Sequence, residues 1–84
     1  MKKYVVISCI EDEIYPPDVC DTMSAAFALM LEDMSCVLDI PLEDLKKAYE
    51  DGGEYDEFTK IYATKALSYG NNYRQGWKII EVEV

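Results

Sequence analysis

The spacing of apolar residues changes twice along this chain, and the change limits the folds open to it. From Lys3 to Ile10 the side chains alternate with a period of two. Val5, Ile7 and Cys9 share one face, and Tyr4, Val6, Ser8 and Ile10 share the other. Both faces are largely apolar, which predicts a central strand with helices on one face and partial cover on the other. From Met23 to Leu38 the period becomes helical. Met23, Phe27, Met30, Leu31, Met34 and Leu38 fill one broad sector, with Ala26 and Val37 alongside. Asp21 or Thr22 is placed to cap that helix. From Gly76 to Val84 the strand period returns.

The intervening segments complete the order. Glu11-Asp12-Glu13 ends the first strand, and Pro16-Pro17 enforces an extended connection. Pro41 suits the first turn of a second helix with Leu42, Leu45 and Tyr49 inward, and Gly52-Gly53 stops it. Residues 55–66 read either way: Phe58, Tyr62 and Ala66 fit a helical stripe, while Ile61, Ala63, Leu67 and Tyr69 fit period two. The turn signal Gly70-Asn71-Asn72 before the last strand favours a strand over about residues 61–69 as its hairpin partner. The expected fold is α+β, in the order β-α-α-β-β. It is a three-stranded, mainly antiparallel sheet with two helices packed on one face, and residues 1–84 form a single domain.

The ending Tyr69-Gly70-Asn71-Asn72-Tyr73, followed by Trp77-Lys78-Ile79-Ile80-Glu81-Val82, resembles the ends of short uncharacterised proteins of Gram-positive bacteria and their phages. That resemblance implies a mobile-element or accessory origin. In size and acidity the chain is also similar to anti-CRISPR inhibitor proteins, a class without a common motif.

Charge narrows the function classes. Seventeen acidic against eight basic residues leave a formal charge of −9, which opposes direct binding to nucleic acid or to an anionic membrane. No apolar run approaches the roughly 18 residues of a membrane span, and no signal-peptide cleavage pattern is visible, so a cytoplasmic protein is expected. Without histidine there is no Ser-His-Asp or Cys-His constellation. A chain this short also leaves little room for a closed pocket, and the expectation is a protein that is not an enzyme.

The acid residues are concentrated. Glu50, Asp51, Glu54, Asp56 and Glu57 lie within eight positions that contain no base, and Glu11, Asp12, Glu13, Asp18 and Asp21 form a second group. Such groups keep a small domain soluble. They can also imitate the phosphates that a basic groove expects, with Tyr55, Tyr73 and Arg74 as anchors. The partner-binding candidates are therefore Glu50, Asp51, Glu54, Tyr55, Asp56 and Glu57, then Glu11, Asp12 and Glu13. The partner expected is another protein with a basic surface, such as a nucleic-acid enzyme of the CRISPR-effector kind, bound by a phage-encoded inhibitor. The alternative is a structural or oligomeric accessory protein whose charge serves solubility.

Three cysteines, Cys9, Cys20 and Cys36, carry no CxxC spacing and read first as small buried hydrophobes. If Cys9 and Cys20 meet at one sheet edge, they and Asp21 supply thiolate and carboxylate ligands for zinc. Ala25, Leu29 and Cys36 form an apolar strip on the far side of the first helix. It is either covered by the second helix or free to pair in a homodimer.

Overall fold

In the computed structural model, which describes residues 1–69 and 74–84, the two nine-residue strands form the spine. Strand β1 (Lys2–Ile10) pairs antiparallel with β6 (Gln75–Glu83) along its full length, from Lys2 opposite Glu83 to Ile10 opposite Gln75. Both runs are rich in β-branched residues, which pack well on a pleated surface. Two short strands, β2 (Glu13–Ile14) and β3 (Asp18–Cys20), flank the other edge of β1. They are one edge interrupted by Pro16-Pro17, which have no N–H to donate to the ladder. On the opposite side, β5 (Lys65–Ser68) pairs with β6, and β4 (Thr59–Ile61) pairs with β5. The spatial order is β2-β1-β6-β5-β4, with β3 beside β1, and every pairing is antiparallel.

The class is α+β as expected, but the sheet has six strands rather than three. Strands β2, β3 and β4 hold two or three residues each, too few to display a period of their own. They become strands because a neighbouring strand, β1 for the first two and β5 for β4, offers its free backbone groups. The strand expected over 61–69 is divided by the turn at Tyr62-Ala63-Thr64, closed where the Tyr62 N–H donates to the Lys65 carbonyl at 2.7 Å. No helix forms over residues 55–66. The turn read at Gly70-Asn71-Asn72 lies outside the described residues, as does Tyr73.

Helix α1 (Met23–Leu38) begins at Thr22, whose hydroxyl accepts from the Ala25 N–H at 3.1 Å. Asp39 closes it in the left-handed region, and helix α2 (Leu42–Glu50) follows after Ile40-Pro41. The Phe27 and Tyr49 rings pack at a tilt of 50°, 4.7 Å between centroids, and join the two helices. Ala26, Met30, Leu31 and Met34 of α1 and Leu45 of α2 are buried with Val6, Ile61, Ala66, Trp77 and Ile79 of the sheet. Burying a side chain of Leu or Met size contributes about 1.5–3 kcal/mol.

Register assigns the sheet faces. Val6, opposite Ile79, and Ser8, opposite Trp77, point toward the helices. Lys3, Val5, Ile7 and Cys9 point the other way, with Gly76, Lys78, Ile80 and Val82 of β6. Among the described residues no element packs on this second face, so the partial cover expected there is not provided. Val19 of β3, on the same face, is 64% exposed.

Candidate functional site

Glu13, Ile10, Gln75, Ser68 and Thr59 form one continuous row across the sheet. Glu11 and Asp12 follow Ile10, and Glu54 to Glu57 precede Thr59, so Glu11–Glu13 and Glu54–Glu57 sit at the same end of the sheet. They flank opposite edges, four strand spacings apart, or about 19 Å. The remaining members of the 11–21 group are carried away by the edge strand. Asp18 lies opposite Val6 at mid-sheet, and Asp21 pairs with Lys3 near the other end.

Glu11 and Asp12 occupy a two-residue hairpin turn, both left-handed, at φ 54° and 68°. Glu13 begins β2. Its carboxylate stands beside the Tyr15 phenol, which donates to Oε2 at 3.3 Å, and this negative charge holds the phenol above its ordinary value of 10.0.

The second group is built by the exit from α2. Glu50 is the last residue of that helix, and the Asp51 N–H donates to the Lys47 carbonyl at 3.0 Å. Gly53 then turns the chain with φ 89°, and its carbonyl accepts from the Ile61 N–H at 2.6 Å. A Cβ at this position would collide with the Ile61 carbonyl oxygen, so only glycine permits so close an approach. Glu54 bridges Lys60 at the outer edge of β4. Asp56 holds the turn into β4, where one of its carboxylate oxygens accepts from the N–H groups of Phe58 and Thr59, both at 2.8 Å. Glu57 is exposed.

These turns create a shallow depression between α2 and the following segment. Asp44, Lys47, Ala48, Asp51, Glu54 and Tyr55 line it. Three carboxylate residues against the single ammonium of Lys47 leave the recess acidic, and with the Tyr55 phenol it suits a guanidinium or ammonium group. Asp44 was missed by reading clusters along the sequence, because it comes beside Asp51 only through two turns of helix, seven residues apart.

The zinc arrangement requires correction. Cys20 lies opposite Tyr4 on the helix-facing side, whereas Cys9 lies five residues farther along β1 on the open side. That offset is about 17 Å of strand, so Cys9, Cys20 and Asp21 do not converge. Among the described residues no group of three metal-binding side chains is assembled. The Ala25/Leu29/Cys36 strip also divides: Leu29 packs against the core, and only Ala25 and Cys36 are exposed. All three cysteines are free, and none is fully buried.

The open sheet face was not anticipated as a surface of interest. Its strand residues include Lys3, Lys60, Lys65 and Lys78 and no carboxylate, in a chain of net charge −9. The signal was legible as lysines in phase with Val5, Ile7, Ile80 and Val82. No helix of the described residues is long and apolar enough to cross a membrane. No family model, curated protein or solved structure matches the chain.

Proposed function

We propose that the protein is an acidic binding module that occupies a basic surface of a partner protein, as an inhibitor covering a surface made for nucleic acid would. The observation that carries this reading is the convergence of Asp44, Asp51 and Glu54 with Tyr55 on one recess. An arginine or lysine of the partner enters there, and Glu11, Asp12 and Glu13, at the same end of the sheet, extend the contact. Electrostatic attraction of this kind speeds encounter and weakens with salt. A nucleic-acid enzyme of the CRISPR-effector kind has such a groove and is the partner class this reading favours.

The test uses a fluorescent arginine-rich peptide as a minimal stand-in for that surface. Affinity should fall at least about tenfold between roughly 50 and 300 mM NaCl. Asp51→Asn/Glu54→Gln should weaken binding clearly more than Glu32→Gln/Asp39→Asn, which removes the same charge elsewhere. Equal losses in the two pairs would reduce the effect to bulk charge and sink the proposal.

A further inference from the structure

The open face of the sheet is amphipathic in an unusual sense for so acidic a chain. Lys65 of β5 stands directly opposite Lys78 of β6, an arrangement that destabilises a sheet. Among the described residues neither forms an ion pair with a carboxylate. Lys65 Nζ lies 5.1 Å from the centroid of the Tyr62 ring instead. Around the two cations lie Val5, Ile7 and Cys9 of β1, Leu67 of β5 and Ile80 of β6.

Gly76 supplies an independent observation. It sits inside β6 between Cys9 and Leu67 and opens a depression lined by Ile7, Cys9, Lys65 and Lys78. Glycine in a strand interior usually marks a close approach of backbone. Among the described residues the fold requires none, because there an added Cβ would meet only the Ala66 carbonyl oxygen, at 3.9 Å. Nor does Gly76 adopt a positive φ. No contact among the described residues therefore calls for this glycine, whose backbone loses more freedom on folding than that of any other residue.

We infer that this face is a docking site for an acidic amphipathic helical segment of a partner protein, with an apolar side chain seated over Gly76 and carboxylates against Lys65 and Lys78. Charge selects this occupant. A second copy packed face to face would bring four more lysines and no strand carboxylate to the contact. The face carries no aromatic strand residue on which a nucleic-acid base could stack. An apolar helix face on an exposed sheet buries both surfaces, and the lysine stems lie along it with their heads on the rim.

The experiment is selection of a random peptide library, of about 16 residues per member, on the intact protein. It is followed by affinity measurement of the enriched peptides on variants. Enriched peptides should be acidic and apolar at helical spacing. Lys65→Glu/Lys78→Glu should weaken them at least about tenfold. Gly76→Val, which fills the depression with a strand-favouring residue, should do the same while thermal stability is kept or raised. Asp44→Asn/Asp51→Asn should leave them unchanged, which separates this site from the acidic recess. Enrichment of basic peptides alone, or indifference to both open-face variants, overturns the inference. So does finding that these variants abolish binding of oligo-dT, of anionic vesicles or of a second copy instead.

Discussion

The indole N–H of Trp77 donates to a carboxylate oxygen of Asp33 at 2.7 Å, linking the middle of β6 to α1 across 44 positions of chain. Trp77 is 2% exposed, and Asp33 is partly buried at the helix–sheet boundary. A buried donor left without an acceptor costs its full desolvation, so this bond fixes where the helix sits on the sheet.

Removing the acceptor tests that role. Asp33→Ala should destabilise the fold by about 1–3 kcal/mol, and Asp33→Asn, which keeps an acceptor, by less. Urea titration followed by fluorescence of the single tryptophan reads both. Equal stability of wild type and Asp33→Ala would show that the bond contributes nothing net.

Thr59 Oγ1 and Ser68 Oγ share a hydrogen bond of 2.9 Å in the buried layer between β4 and β5. Each single change, Thr59→Val or Ser68→Ala, should cost about 1–3 kcal/mol because one hydroxyl stays buried without its partner. The double variant should cost less than the sum, since nothing polar remains to satisfy. Additive losses would mean that the two hydroxyls act independently.

The turn at Glu11-Asp12 holds two residues with positive φ where Asn-Gly is preferred. Glu11→Asn/Asp12→Gly should therefore stabilise the protein by about 1 kcal/mol. Glu11→Gln, which removes charge but keeps the strained backbone, should help less than Glu11→Asn. A greater loss of binding to the arginine-rich peptide in the stabilised variant than in Glu11→Gln/Asp12→Asn, which removes the same two charges, would identify the strain as one maintained for contact.

Tyr15 should titrate above its ordinary 10.0, because the Glu13 carboxylate disfavours the phenolate. For a phenol with a raised folded-state pKa, the contribution to stability is present below the unfolded value and lost as pH rises through the folded one. NMR titration of the tyrosine rings should show one late resonance that moves earlier in Glu13→Gln. An unmoved resonance would remove Glu13 as the cause.

The long elements were legible because each carries enough residues to show a period. The strands at both ends, the α1 stripe from Met23 to Leu38 and the Gly52-Gly53 stop of α2 all stand where periodicity and backbone chemistry put them. The acidic segments were legible as composition, but their geometry was not. Asp21 separates from Glu11–Glu13 because the edge strands run back along β1 from Ile10 to Tyr4, and Asp44 joins Asp51 because two helical turns bring them together. The placement of Cys9 and Cys20 on opposite faces follows from register, and a slip of one residue would have reversed either.

By itself, then, the order of residues determined which stretches are helix and which long strand, since local period and turn chemistry act over a few neighbours. The tertiary structure alone decided that β2, β3 and β4 exist, that Glu11–Glu13 and Glu54–Glu57 share one end of the sheet, and that Lys65 faces Lys78 across a surface that no described element covers. Those relations depend on pairings between distant segments, and the free energy of such pairings is not written in any one of them.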